Sequence, residues 1–255
     1  MFTAKRKAMD YVGIDIGSTA AKVAVLGDHE IRFVLPTGWS SKETAVTIKN
    51  QLMQSGIDID ACRVAATGYG RNAVEYAERK ITEITCHAAG AARFSKDCTI
   101  IDIGGQDTKV ICVENGAVSD FLMNDKCSAG TGKFIEVMAA RLGYDIDELF
   151  EHAALGKALA ISSLCTVFAE SEVINHIGGG CSRDDIAAGV IDSVAVKVSQ
   201  MTCRMQMKAP VLLTGGLSHL QYLAKCLEER IGLPVTCMPE GRYAGAIGAA
   251  ILMQN

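Results

Sequence analysis

Two cysteine-bearing segments stand out among the residues that could do chemistry. The first, Asn124-Asp125-Lys126-Cys127-Ser128-Ala129-Gly130-Thr131-Gly132-Lys133-Phe134, is polar and glycine-rich, and Phe134, Ile135, Met138 and Leu142 recur at helical spacing. Ser128 is expected to cap that helix, which places Cys127 at its positive end. Unpaired N–H groups there stabilise a thiolate, and equally an anionic metal cluster bound through it. Taken singly, Cys127 reads as a buried packing residue, because cysteine is among the most buried residue types. A second segment repeats the arrangement: residues 159–161 form a short apolar strand, Ser162-Ser163 turns, and a helix begins just after Cys165 with Glu170 and Glu172 in its first turns.

A duplicated carboxylate motif is the other chemical feature. Residues 99–110 copy residues 12–23, so that Asp15, Gly17 and Lys22 recur 87 positions later as Asp102, Gly104 and Lys109. In each copy a buried strand delivers an aspartate into a glycine turn and returns as a second strand. The turn glycines admit phosphate oxygens to backbone N–H groups, Ser18 and Thr19 add hydroxyls, and Asp15 and Asp102 can hold magnesium or its waters. Duplication implies two similar lobes with a ligand cleft between them. Thr131-Gly132-Lys133 only imitates a P-loop, since Cys127 stands at that motif's first glycine and Phe134 at its Ser or Thr.

The elements that position these residues read as mixed α/β. Strands are expected at 11–16, 22–26, 31–35, 63–66, 81–84, 99–103, 118–122, 211–216 and 234–237. Helices are expected at 41–54, after Thr67-Gly68-Tyr69-Gly70-Arg71, and over 86–92, 131–142, 146–152, 167–177, 184–207, 218–230 and 244–250. Residues 1–95, completed by 241–255, make one lobe, and 96–240 make the other, which carries the cysteines.

Composition narrows the class. The 255 residues are 49% hydrophobic with a net charge of −4, so the chain is globular, and no basic stripe invites nucleic acid or anionic lipid. No apolar run reaches the ~18 residues of a membrane span, and residues 1–10 lack the apolar core of a signal peptide, so a cytoplasmic location is expected. Ten cysteines occur with no CxxC, which argues against a zinc ribbon, a thioredoxin-like pair or a four-ligand cluster from one local run. Any four-cysteine site must be assembled at long range or between chains. Packing is expected for Cys98, Cys112, Cys203, Cys226 and Cys237, and structural roles for His87 and His176; Cys62, Cys86 and Cys181 have no role assigned by pattern.

GIDIGST at 13–19, DIGGQD at 102–107, LTGG at 213–216 and GAIGAA at 245–250 resemble the two phosphate motifs, the adenosine motif and the second connecting motif of the acetate kinase, sugar kinase, heat-shock chaperone and actin superfamily. TGYGR at 67–71, CHAAGA at 86–91, NDKCSAGTGKF at 124–134 and SSLCTVFAESEVI at 162–174 resemble one branch of it. That branch is the activators of 2-hydroxyacyl-CoA dehydratases, related to the ATPase subunits of benzoyl-CoA reductase. The resemblance implies two actin/ribonuclease H-like lobes around a central nucleotide cleft. It implies an ATPase coupled to low-potential electron transfer, and a homodimer sharing one [4Fe-4S] cluster ligated by Cys127 and Cys165 of each chain. The electron would come from ferredoxin or flavodoxin and pass to a dehydratase component. ATP with Mg2+ would be held by Gly17, Ser18, Thr19, Gly104, Gly105, Asp107, Gly215 and Gly216, with Asp15 and Asp102 on magnesium and Gln106 orienting the attacking water. Gly178-Gly179-Gly180-Cys181 departs from the pattern and admits Cys181 as a competing ligand. Two other readings are a small-metabolite kinase of the superfamily without a cluster, and an ATPase subunit of a benzoyl-CoA reductase-like enzyme.

Overall fold

The computed structural model describes residues 9–254, and the chain divides into two compact units, Met1–Phe94 with Tyr243–Asn255, and Ser95–Arg242. In the first unit, strands β1 (Tyr11–Ile16), β2 (Ala20–Leu26), β3 (Ile31–Pro36), β4 (Arg63–Thr67) and β5 (Arg79–Lys80) form a sheet in the order β3-β2-β1-β4-β5. Helix α1 (Ser41–Gln54) starts where the Ser40 side chain accepts the Glu43 amide and buries Ala45, Ile48 and Leu52. These join Val12, Ile14 and Ile16 in the core of this unit. Helix α2 (Glu83–Ala91) and the last helix, α8 (Ala244–Ile251), pack against each other through small residues.

The second unit repeats that sheet. Strands β6 (Cys98–Ile103), β7 (Thr108–Glu114), β8 (Ala117–Asn124), β9 (Val211–Gly215) and β10 (Val235–Cys237) run in the order β10-β9-β6-β7-β8. Its helices are α3 (Gly132–Leu142), α4 (Ile146–Leu155), α5 (Thr166–Gly178), α6 (Arg183–Thr202) and α7 (Gln221–Ile231). The duplication therefore extends to register. Asp15 faces Lys22 across β2 and Thr67 across β4, and Asp102 faces Lys109 across β7 and Thr214 across β9. Phe134, Ile135, Met138 and Leu142 of α3 bury their shared face in the core of this unit, to which Ile101 and Ile103 of β6 also belong. Both sheets have the two-lobed α/β form expected.

Several local expectations give way to capping and tertiary contact. The helix expected after residues 67–71 is one 3-10 turn, Arg71–Ala73, because Gly68 stands at φ +81° and the Gly70 amide is taken by the Ile16 carbonyl (2.9 Å). Residues 81–84 are not a strand: Thr82 caps α2 by accepting the Thr85 amide, so the helix begins at Glu83. Residues 159–161 find no strand partner, and the Leu159 amide goes instead to the Asp185 carbonyl (3.3 Å). Helix α6 stops at Thr202, which leaves Cys203 exposed at its end instead of packed. Ser128 is not the cap of α3; Thr131 holds that position, and the Ser128 hydroxyl pairs with Thr166 Oγ1 (2.7 Å).

Helix α8 sits where it does because Gly248 has no side chain. A Cβ there would come within 1.7 Å of the Cys86 carbonyl oxygen on α2. Gly248→Ala should gain about 1 kcal/mol of helix propensity and lose more, roughly 1–3 kcal/mol, to overpacking. The expected result is a lower urea midpoint; a stabilised variant would disprove the close approach of α2 and α8.

Candidate nucleotide turns and cysteine loops

In the first unit Asp15 ends β1 almost fully buried, with Lys22 Nζ 3.8 Å from its Oδ2. The turn that follows is held by its own backbone: the Gly17 amide bonds to Ala20 O (3.1 Å), and Thr37 donates its hydroxyl to Gly17 O (2.7 Å) and its amide to Thr19 O (3.1 Å). The hydroxyls of Ser18 and Thr19 engage nothing among the described residues, so both remain available to a ligand. A Cβ on Gly245 of α8 would lie 3.1 Å from both Asp15 Oδ2 and His87 Nε2. His87 thus stands beside the aspartate, a neighbour that sequence spacing did not suggest.

In the second unit the same cross is drawn tighter. Lys109 is fully buried and donates to Asp107 Oδ1 (2.7 Å) and Asp102 Oδ2 (3.4 Å), while the Thr214 hydroxyl donates to Asp102 Oδ1 (2.8 Å). Asp107 is therefore committed to Lys109, and Gln106 is exposed at the turn's tip. Gly104 is packed against the Asp107 side chain, where a Cβ would fall 2.3 Å from Oδ1. Gly215 stands at φ +94° with Ile103 O in the place of a Cβ, and Gly216 opens onto free space. Thr67-Gly68 occupies the corresponding end of β4, with Gly68 at φ +81°, so the threonine-glycine pair is duplicated too. Lys22, Thr67, Gly68, Lys109 and Thr214 are the residues that motif reading left without a role. Their signal was present in the repeat itself, as a lysine seven residues after each aspartate and Thr-Gly at the end of each neighbouring parallel strand.

The turn of the second unit is bonded directly to α3. The amides of Gly132 and Lys133, which open that helix, donate to Gly104 O (2.9 Å) and Gly105 O (2.8 Å). Those N–H groups are spent on the turn, not on Cys127, which lies ahead of the helix; Cys165 is the N-cap residue of α5, with no side-chain bond to its amides. The two cysteine loops are laced together: the Cys127 thiol donates to Leu164 O (3.6 Å), and Ser128 bonds Thr166. Asn124 Nδ2 holds the first loop by donating to Cys127 O (2.9 Å) and Ala129 O (3.1 Å). Glu172 accepts the Ser162 amide (2.6 Å) to hold the second, and Arg141 of α3 clasps Glu170 of α5.

These contacts set the Cys127 thiol against the residue that precedes Cys165, an arrangement that suits a pair of thiolate donors. Both cysteines are free and half-buried, and Leu164, Val167 and Phe168 beside them are exposed. Cys181 does not belong with them. It follows the 13-residue α5, about 20 Å long at 1.5 Å per residue, and its Sγ lies 3.8 Å from His176 Nδ1 at the far end. Burial pushes the Cys62, Cys98 and Cys226 thiols up to about 11 and Cys86 to about 12, and raises Cys112 and Cys237 as well.

Two outcomes are expected. Lys109→Met leaves two buried carboxylates without their cation and should destabilise the protein by about 3–5 kcal/mol in urea titration at neutral pH; a loss near zero would mean the buried cross is not formed. Alkylation of the native protein at pH 8 should mark Cys181 and Cys203 first. Cys86, Cys98 and Cys226 should stay unmarked until denaturation, since a thiol raised to about 11 carries on the order of 100-fold less thiolate than an ordinary one. Early marking of Cys86 would contradict its burial.

Comparison with known proteins agrees with this geometry. The chain is 42% identical over 247 residues to the (R)-2-hydroxyglutaryl-CoA dehydratase activating ATPase of Acidaminococcus fermentans, covering 94% of this chain and 95% of that one. The crystal structure of component A of the A. fermentans (R)-2-hydroxyglutaryl-CoA dehydratase superposes with a TM-score of 0.90 at 40% identity, over 96% of this chain and 97% of that one. The activator of the 2-hydroxyisocaproyl-CoA dehydratase from Clostridium difficile with bound ADPNP superposes with a TM-score of 0.89 at 36% identity, over 96% and 94%. With residues 12–253 matching its pattern, the chain belongs to the BadF/BadG/BcrA/BcrD ATPase family.

Proposed function

We propose that the chain is an ATP-hydrolysing iron–sulfur electron-transfer protein that reductively activates a 2-hydroxyacyl-CoA dehydratase, acting as a cytoplasmic homodimer with one shared [4Fe-4S] cluster. The observation that carries this reading is the pair of bonds from Gly132 and Lys133 to Gly104 and Gly105. They join a candidate phosphate turn to the helix that begins behind Cys127, so a change at the turn is felt at the thiol. The similarity to a dehydratase-activating ATPase, and to an activator crystallised with ADPNP, supports the nucleotide and the partner.

In this reading Gly17, Ser18 and Thr19 in one unit and Gly104 and Gly105 in the other meet the phosphates, and Gly215 and Gly216 meet the adenosine. Asp15 and Asp102 hold Mg2+ or its waters. Asp107 acts through Lys109, whose charge it shares with Asp102. Gln106, exposed on its turn, orients the attacking water. Within the second unit, a turn that responds to nucleotide moves α3, to which it is bonded.

Cys127 and Cys165 supply two thiolates, and a second copy supplies the other two. When bound, the cluster provides a one-electron carrier between a ferredoxin or flavodoxin and the dehydratase. The chain's own part is to hold the two thiols through Asn124, Ser128 and Thr166, and to cover them with Leu164 and Phe168.

Iron and acid-labile sulfide measured on protein purified without oxygen should come to about four of each per dimer and be lost in Cys127→Ser and in Cys165→Ser. Asp15→Ala and Gln106→Ala should lower ATPase activity by roughly 10²-fold with iron retained. Absence of iron after reconstitution would sink the activator reading and favour a kinase without a cluster.

A further inference from the structure

Behind the Cys127 loop lies a cavity of about 180 Å3. Met123 and Asn124 of β8 form one wall, and Lys197, Gln200, Met201 and Arg204 form the other along α6 and the turn beyond it. Lys197, Gln200 and Met201 stand at i, i+3 and i+4 on one face of α6, and Arg204 follows from the turn after the helix ends at Thr202. The volume is below the ~300–1,000 Å3 of sites for drug-sized ligands, so any occupant is small.

The charges in this cavity are of one sign. The Lys197 and Arg204 side chains enter no hydrogen bond or ion pair among the described residues, and no carboxylate lines the wall. The acidic groups close by in the chain are engaged elsewhere: Asp192 with Arg230 (2.6 Å), Asp125 with Lys126 (2.9 Å), and Asp120 with the Phe121 amide (2.8 Å). A helix C-terminus would by itself repel an anion. Here the carbonyls of Ser199, Met201 and Thr202 are already taken by the amides of Cys203, Arg204 and Met205, so the two cations dominate.

Two of the lining side chains also hold the cysteine loop. Asn124 bonds the carbonyls of Cys127 and Ala129, and the Lys197 stem lies against Gly130, where a Cβ would come 2.7 Å from Lys197 Cγ. We propose that this cavity binds a small oxyanion, a carboxylate or a phosphate, clamped between Lys197 and Arg204, and that its occupancy steadies the Cys127 loop. Gln200 adds a neutral donor, and Met123 and Met201 give a short carbon body an apolar floor. The inference needs neither the cluster nor the dehydratase, and goes beyond the proposed function.

The test uses the full chain saturated with Mg-ADPNP, so that the candidate phosphate turns are filled, and measures equilibrium binding of inorganic phosphate and, separately, of butyrate. The two arms tell a phosphate from a carboxylate. At least one should saturate, and its Kd should rise about tenfold or more in Lys197→Met and in Arg204→Met, each of which removes one charge-assisted contact. Lys126→Met, outside the cavity, should bind like the parent. The bound anion should also slow amide exchange over residues 124–130 in the parent and not in the two cavity variants. Absence of saturable binding for both anions, affinity unchanged in both cavity variants, or exchange unaffected by a saturating anion would overturn the proposal.

Discussion

The bonds between the Gly104 and Gly105 carbonyls and the Gly132 and Lys133 amides are the constraint on which the second unit's chemistry depends. A helix begins with amides that its own carbonyls cannot satisfy, and a side-chain cap, water or a neighbouring backbone must take them. At α3 no side-chain cap is present and Thr131 merely occupies the position. The Asp102–Asp107 turn does the capping instead. Neither the turn nor the helix can shift alone without stranding polar groups, each worth about 1–3 kcal/mol if buried and unsatisfied. The glycines matter twice there, since a Cβ on Gly132 would already press within 3.2 Å of Gly104 O.

Duplication supplied both turns, but the copies have diverged in how firmly each aspartate is held. Lys109 has 1% of its side chain exposed and bridges two carboxylates, whereas Lys22 has 18% exposed and stands 3.8 Å from Asp15. The Ser18 and Thr19 hydroxyls of the first copy stay available, while the second replaces them with Gly105 and Gln106. A turn tied to its lysine and to α3 suits transmission of a movement, and a looser one with unspent donors suits capture of a ligand.

Much of this was legible in the chain because both devices are local. An aspartate between two apolar runs and before a glycine turn must end a strand, and its recurrence 87 residues later fixed the two-lobed α/β plan. What pattern could not reach was contact across sequence. Nothing local says that Thr214 will bond Asp102, that His87 will stand beside Asp15, or that Gly104 and Gly105 will consume the amides meant for Cys127. Propensity also lost where a cap decided: Thr82 starts α2 inside residues that read as β-branched strand, and the early end of α6 turned Cys203 from a core residue into an exposed one.

The cysteine loops pose a problem that one chain does not solve. Cys127 and Cys165 are two donors, and the remaining thiols are spread over other elements, Cys181 at the opposite end of α5. Around the pair, Leu164, Val167 and Phe168 are 71%, 67% and 64% exposed, a cost that a monomer has no reason to bear beside a thiol. Burying each fully would return about 1.5–3 kcal/mol, and a two-fold axis beside Cys165 would bury six such side chains at once while bringing two more thiols to the first two. A self-complementary contact of this kind needs no new residue type, only a second copy. In the proposed dimer, then, the same apolar rim that drives association excludes water from the four thiolates, so assembly and protection of the redox centre are one event.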